Sequence, residues 1–340
     1  MGVKLGDLVI KKEISFEELS NKKIAIDAPN MIYQFLTSIR QPDGTPLMDS
    51  KGNITSHLQG ILTRLTNLMS RNIQLCVCFD GKPPLSKIRE TESREYRKEI
   101  AAEKLKKALE EEDVYSVYKY SKQVVRLTKE VSNESKELIN YLGIPTIQAP
   151  SESDAQIAFM CEKGDVWACA SSDMDVLIYG APRLVTNLTV SQRKKLPSGS
   201  TISINPELIE LEKVLKGLEI NQDQLLALAI LVGTDYNKLG VKGIGPKTAL
   251  KLVKQFKNFD KIFKEVEADF NWKEVYAVFK SMPIMKNYQL KWQAPDEEKI
   301  IKLLVDKHDF SEDRVKKTLE KLNNSKSKQS QKGLGDFINV

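Results

Sequence analysis

Residues 149–180 read APSESDAQIAFMCEKGDVWACASSDMDVLIYG, and the order of elements in this stretch decides the fold. Ile147 to Ala149 closes an apolar run, Ser151 can cap a helix, and Ala155 to Cys161 has helical period. Gly164 ends that helix, Val166 to Ala170 reads as a strand, and Ser171-Ser172 leads into a pair of aspartates. One carboxylate pair, Glu152/Asp154, therefore opens a helix just after a strand. The other, Asp173/Asp175, follows the next strand. In open α/β sheets the ligand site lies outside the carboxyl ends of the strands. Four acids gathered there repel one another unless a cation holds them together.

Upstream, the same pattern of strand, Asp and turn occurs twice. Lys22 to Ala28, KKIAIDA, is a strand carrying Asp27 at its end, and helical spacing follows over Asn30 to Ile39. Gln74 to Phe79 is a strand ending on Asp80, before Gly-Lys-Pro-Pro. Between them, the stretch from Gln41 to Asn53 is dense in turn formers, and Thr55 or Ser56 can cap a helix running to about Ser70. Downstream, Arg183 to Asn187 reads as another strand and Val190 to Ile204 as a hairpin around PSGS. Strands alternating with helices predict an α/β fold with a mostly parallel, twisted sheet flanked by helices. Beyond Pro206 the pattern is helical.

Pro84 to Asp113 differs in character. Between Lys87 and Lys107 there are many charges and few large apolar residues, so the helix is either solvent-bridging or only conditionally folded. Lys87 and Arg94 are seven apart and share a helix face, from which they could reach a phosphate held at Asp80. A second helix is expected from about Ser121 to Leu142. Further on, Asn221 can cap a helix over Gln222 to Val232, and Asp235 follows its end. Next comes VKGIGPKTALKLVK. Gly243 and Gly245 let backbone N–H groups approach an anion, Pro246 suits the first helical position, and the helix N-terminus then faces that anion. Lys247, Lys251 and Lys254 share a face, which suits contact with a phosphate backbone. Trp272 and Trp292 read as core residues.

Composition narrows the chemistry. With 340 residues, 41% hydrophobic and 29% charged, the chain can bury a large core. A net charge of +6 permits nucleic-acid binding without requiring it. Cys76, Cys78, Cys161 and Cys169 sit in apolar runs, and no second matching pair completes a zinc site. His57 and His308 are too isolated to suggest histidine-centred catalysis. The lack of a signal peptide or long apolar run predicts a soluble, intracellular protein with no membrane partner. Asp27, Asp80, Glu152, Asp154, Asp173 and Asp175 all fall at or just past strand ends. Such an acid edge suits hard divalent cations, and two of them can activate a water and stabilise the leaving oxygen of a phosphodiester. Lys87 and Arg94 would add positive charge. The residues thus predict a Mg²⁺-dependent phosphodiesterase acting on nucleic acid.

MGVKLGDL, IAIDAPNMIYQFL, VCFDGKPP, APSESDAQIAFM, SSDMDVLIYG and LVGTDYNKLGVKGIGPKTA, in this order, resemble the structure-specific 5′ nucleases of the XPG family, with the archaeal flap endonucleases as the close match. The resemblance implies that Asp27, Asp80, Glu152, Asp154, Asp173, Asp175 and Asp235 are metal carboxylates for two Mg²⁺ ions, for which Mn²⁺ can substitute. It implies that Lys87 and Arg94 are the catalytic basic pair on an arch helix. Tyr33, Arg40, Arg64, Gly243, Gly245 and Lys247 would contact DNA, with a K⁺ ion at the Gly243–Lys247 turn in a helix-hairpin-helix-like region. The expected reaction is cleavage of 5′ flaps near the single-strand/duplex junction, with 5′-3′ exonuclease activity, in Okazaki-fragment maturation and repair. The C-terminal Gln331, Leu334, Phe337 and Ile338 resemble a box that binds the sliding clamp (PCNA), with Ile338 in place of an aromatic. Asp154 stands where many relatives carry Glu.

The implied organisation is one nuclease domain over 1–322, divided into an N-terminal part (1–83), a helical arch (84–142), the acidic core of the sheet (143–205) and a helical DNA-binding part (206–322). The polar stretch Asn323 to Gly333 reads as a flexible linker within a tail over 323–340. A monomer in the cytoplasm, with the chromosome, is expected. The competing readings are a non-catalytic junction binder that recruits the clamp, a bubble- or gap-cutting relative, and a PIN-type ribonuclease. The first would be expected to have lost several of the seven acids. The second normally carries a long insertion, and the third explains neither the GIGPK turn nor the tail.

Overall fold

Alternation along the strands divides the interior of this protein into two cores. The computed structural model describes residues 3, 5–6, 8–84, 87–111, 113–195, 200–256 and 258–335. The strands are β1 (Lys12–Glu13), β2 (Lys23–Asp27), β3 (Gln74–Phe79), β4 (Thr146–Gln148), β5 (Ala168–Ala170), β6 (Arg183–Thr186), β7 (Arg193–Lys195), β8 (Thr201–Ser203) and β9 (Glu207–Glu210). Seven form one sheet in the order β1-β9-β6-β5-β2-β3-β4, and β7 pairs with β8 alone. Ala25, Cys76, Cys78 and Cys169 point to one core; Ile24, Ile26, Leu75, Val77 and Ala170 point to the other. This is the period-two pattern of a sheet buried on both faces. All four cysteines are free and buried.

The first helical layer contains α1 (Ala28–Ser38), α2 (Ser56–Gly60) and α3 (Thr66–Met69), the last two joined by a π-helical turn over Ile61–Leu65. The region expected to form an arch contains α4 (Ile88–Glu110) and α5 (Val114–Gln123), which pack against each other, followed by α6 (Lys129–Tyr141). The acid-bearing segments open α7 (Ser153–Glu162) and α8 (Asp175–Ile178). Then come α9 (Leu211–Leu218), α10 (Gln222–Val232), α11 (Pro246–Gln255), α12 (Phe259–Glu265), α13 (Trp272–Lys280), α14 (Glu297–Ile301) and α15 (Glu312–Gly335). Helices α7, α10 and α11 cover one sheet face; α1, α6, α14 and α15 cover the other. Among the described residues no helix is long and apolar enough to cross a membrane.

The strands from β4 through β3 and β2 to β5 and β6 run parallel, as the sequence predicts. From β2 the chain builds outward to β3 and β4, then returns to the other side of β2 for β5. The crevice between β2 and β5 is thus the topological switch point, where the carboxyl ends of the strands leave room for a ligand.

Several local expectations are corrected. The region beyond Pro206 is not wholly helical, because β9 adds antiparallel to β6, with Leu208 opposite Val185, and β1 adds to β9. Four residues are too few to show a period, and the strand exists because the edge of β6 needs hydrogen-bond partners. The helix expected over Ser121 to Leu142 is two helices; Thr128 caps the second by accepting from the Val131 N–H at 3.3 Å. Ser151 does not cap α7, since its hydroxyl donates to the Lys82 carbonyl at 3.0 Å and Glu152 holds the cap position. The polar stretch from Asn323 to Gly333 continues α15 rather than forming a flexible linker. Pro29 lies in the first turn of α1, where a missing N–H costs no helical bond. Trp272 is core, stacked on Phe263 at 4.8 Å between centroids, and the Trp292 indole donates to the Leu75 carbonyl.

Candidate active site

Parallel strands deliver their ends to one edge, so the acids meet without sequence proximity. Asp27 is the last residue of β2, and Asp80 follows β3 directly. Glu152 and Asp154 start α7 after β4, while Asp173 and Asp175 follow β5. Asp27 occupies the cap position of α1, and its carboxylate is shared with two serines from other segments. It accepts from the Ser153 hydroxyl at 2.9 Å and the Ser171 hydroxyl at 3.2 Å. Asp80 Oδ1 accepts the Ser153 N–H at 2.8 Å, and Asp175 Oδ1 accepts the Val3 N–H at 2.8 Å.

Crowding shows in the proton affinities. Burial, then repulsion by Asp80, pushes Asp27 up to about 7. Burial, then Asp173, pushes Asp175 up to about 7. Burial, then Asp27 and Asp175, pushes Asp154 well above the usual carboxylate range. Its Oδ1 is buried without a hydrogen-bond partner among the described residues. Like charges held close in a desolvated site are unfavourable by themselves, and a cation reverses that balance.

The arch helix already brings part of the compensating charge. Lys87 pairs with Glu152 and lies 3.4 Å from Asp235 Oδ2. Arg94 bonds both oxygens of Asp235 at 2.8 Å, and Lys238 reaches Ser93 at 3.2 Å. Burial opposes the charge on Lys87, but Glu152 and Asp235 outweigh it and raise the ammonium's pKa. Burial opposes the Asp235 charge as well, but Lys87 and Arg94 hold it below its ordinary range. Glu152 ends slightly the other way, pushed up by burial despite Lys87.

Among the described residues no three Asp, Glu, His or Cys side chains close on a ready-made ion cage. The acids gather at one edge of the sheet without converging on one point. That suits Mg²⁺, which binds through one or two carboxylates and keeps several waters. The donor set is all oxygen, and an orphaned carboxylate oxygen sits within it, so these residues fit a hard divalent cation.

The remaining expected residues lie apart from the acids. Tyr33 is 44% exposed on α1. The Arg40 guanidinium donates to the carbonyls of Leu36, Gly44 and Ser121 and to the Ser121 hydroxyl, so it staples the end of α1 to α5. Arg64 is half-buried on the π-helical turn, and burial lowers its pKa. Gly243 has φ +81°, a conformation that favours glycine, while Gly245 caps α11 and Pro246 opens it. Lys247 and Lys251 are exposed, whereas Lys254 pairs with Glu219 at 2.6 Å. The side chains of Gln331 and Leu334 lie outside the described residues, as do Phe337 and Ile338 entirely.

Sequence reasoning missed Ser153, Ser171 and the Val3 N–H. A small residue between two acids and an N-terminal amide carry no pattern; only the fold shows what they touch.

Comparison with known proteins follows from this geometry. Residues 1–101 match the XPG N-terminal domain and residues 143–235 the XPG I-region. Flap endonuclease 1 of Thermococcus onnurineus is 51% identical over 327 residues, covering 95% of this chain and 94% of that protein. Flap endonuclease 1 of Pyrococcus furiosus is 50% identical, covering 95% of each. The solved flap endonuclease-1 of Methanococcus jannaschii superimposes with a TM-score of 0.78 at 44% identity, covering 96% of this chain and all of that one. The catalytic core of Rad2 in complex with a DNA substrate shares the fold at a TM-score of 0.68 and 21% identity, covering 95% of this chain and all of that one.

Proposed function

The chain belongs to the XPG family and is a structure-specific flap endonuclease, and we propose that it hydrolyses a DNA phosphodiester at the base of a 5′ flap with two Mg²⁺ ions. XPG-family nucleases are metal-dependent. The observation that carries the reading is the meeting of Lys87 and Arg94, from the arch, with Glu152 and Asp235, at the edge of the acid-lined switch point. Asp27, Asp80, Glu152, Asp154, Asp173, Asp175 and Asp235 would hold the ions. Bound there, the ions would supply Lewis acidity to a water and to the phosphate.

The protein's own groups do the rest. Ser153 and Ser171 hold Asp27 in place, while Lys87 and Arg94 are positioned to turn onto a scissile phosphate and neutralise developing charge. The turn over Gly243–Lys247 would grip the duplex backbone through N–H groups and Lys247, with a K⁺ ion at the same turn. Tyr33 and Arg64 would meet the DNA near the junction, whereas Arg40, whose guanidinium is held by Leu36, Gly44 and Ser121, would act by fixing α5 against the end of α1. We place the enzyme with the chromosome in the cytoplasm, as a monomer that joins the sliding clamp through Gln331, Leu334, Phe337 and Ile338. Removing Gln331 onward should spare cleavage alone and abolish stimulation by the clamp; unchanged stimulation would reject the tail assignment.

The test uses a 5′-labelled double-flap DNA with Mg²⁺, with EDTA, and with Asp173→Ala. The wild type should release the flap only in Mg²⁺, and Asp173→Ala should leave it attached. A wild type that leaves the flap uncut in Mg²⁺ would overturn the reading.

A further inference from the structure

Ser153 lies between two candidate metal carboxylates, Glu152 and Asp154, and touches two others. Its N–H donates to Asp80 Oδ1 at 2.8 Å and its hydroxyl to Asp27 Oδ1 at 2.9 Å. Asp27 and Asp80 come from neighbouring parallel strands, so this one residue links the ends of β2 and β3 to the first turn of α7. The residue is 2% exposed, and Asp27 is 5% exposed, so water cannot easily replace the hydroxyl.

A helix-capping role does not account for this hydroxyl. Capping hydroxyls accept from the N–H groups of their own helix. Ser153 instead donates to a carboxylate 126 residues away in sequence. On its other side Asp27 accepts from Ser171, whose oxygen also accepts the Asp173 N–H at 3.1 Å. Both oxygens of Asp27 are therefore oriented by serine hydroxyls, each belonging to a segment that carries further acids. A carboxylate held on both oxygens has little freedom to rotate, and each oxygen keeps a lone pair for a further ligand. Partners that orient metal ligands commonly change metal affinity by about 10- to 100-fold when removed.

We propose that Ser153 is a positioning residue that presets Asp27 and Asp80 for divalent-cation binding, a role that rests on the metal-dependent nuclease reading above. Threonine keeps the hydroxyl, valine has threonine's shape without it, and alanine suits the first turn of α7 while removing both. The pair Ser153→Thr and Ser153→Val thus isolates the hydroxyl, and Ser153→Ala covers the case in which valine disturbs the helix.

The primary readout is Mn²⁺ binding to the full-length, DNA-free protein by electron paramagnetic resonance. Ser153→Val and Ser153→Ala should weaken Mn²⁺ binding about 10-fold, while Ser153→Thr stays within about twofold of wild type. The Mg²⁺ concentration for half-maximal single-turnover cleavage should rise by the same factor, with the rate at saturating Mg²⁺ much less affected. Flap-DNA affinity in EDTA should be unchanged, while Ser153→Val and Ser153→Ala should melt lower than wild type in EDTA for the lost buried hydrogen bond. Equal Mn²⁺ affinity in the Thr, Val and Ala variants would overturn the proposal. A lower melting temperature with no change in Mn²⁺ affinity would overturn it too, by showing a structural role. A wild type that binds Mn²⁺ but leaves flaps intact would instead reject the endonuclease reading and leave the metal-binding result standing.

Discussion

Arg94 donates from one guanidinium nitrogen to both oxygens of Asp235, at 2.8 Å each, across 141 residues of sequence. The contact closes the base of the arch onto the loop between α10 and α11. Lys87 adds a second tie to the same carboxylate. On the proposed reading a divalent cation needs the same acids, so protein and metal would compete for the same oxygens.

That competition gives Lys87→Ala two opposite effects. Mn²⁺ binding in the absence of DNA should tighten severalfold, because Glu152 loses its cationic partner and Asp235 one of its two. Single-turnover flap cleavage should fall by about 10²-fold or more, with DNA affinity nearly unchanged. Equal losses in cleavage and affinity would reduce Lys87 to a plain phosphate contact.

Asp154→Asn should separate stability from function. The native side chain keeps a buried oxygen without a partner, beside Asp27, Asp175, Asp173 and Asp80. Removing its charge is expected to stabilise the metal-free protein by about 1–2 kcal/mol in guanidinium unfolding with EDTA. Cleavage should be lost, and Mg²⁺ should raise the melting temperature of the wild type but not of the variant. A destabilised metal-free variant would show that the acid cluster is better compensated than its contacts indicate.

Val3→Pro removes the N–H that satisfies Asp175 Oδ1. Compared with Val3→Ala, which keeps the N–H and loses only side-chain burial, it should cost about 1–3 kcal/mol more in thermal melts. Identical melting of the two variants would mean that this contact contributes nothing to the fold.

Both histidines of the chain face one carboxylate, Glu134. His57 Nε2 lies 3.6 Å from it and His308 Nε2 3.2 Å, while Lys307 pairs with it at 2.8 Å and Asp49 holds His308 at 2.9 Å. The neighbouring His57 ring leads the effects that bring Glu134 down to about 2, and burial lowers His57. The signs agree. A carboxylate depressed in the folded state contributes stability above its unfolded pKa and loses it as pH falls. A histidine held neutral by burial likewise favours the unfolded chain once pH drops below its ordinary pKa. Stability should therefore decline from about pH 6.5 downward, with Glu134 accounting for about 1–2 kcal/mol between roughly pH 5 and 2. Glu134→Gln should flatten the lower part of that curve in urea melts; an unchanged profile would discount the cluster.

The acid edge was legible because parallel strands place their carboxyl ends on one side, and a strand followed by Asp or Glu is visible in one dimension. Helix α10 was legible from Asn221 and the apolar run behind it, and the structure shows the full capping box with Gln224. Strand β9 was not, since four residues show no period and its partner lies elsewhere in the chain. The division at Val124 to Thr128 was missed because both flanking helices are amphipathic and the break contains neither Gly nor an internal Pro.

By itself, the sequence determined which residue types exist at the strand ends: Asp27, Asp80, Glu152, Asp154, Asp173 and Asp175, with Lys87 and Arg94 on one face of a polar helix. Those facts follow from local periodicity and covalent order. The tertiary structure alone decided which of them touch. Lys87 reaches Glu152, Arg94 reaches Asp235, and Ser153 spans Asp27 and Asp80 because a crossover at β2 and β5 folds distant segments onto one crevice. Contact at such separations is set by packing of the two cores, and no local pattern encodes it.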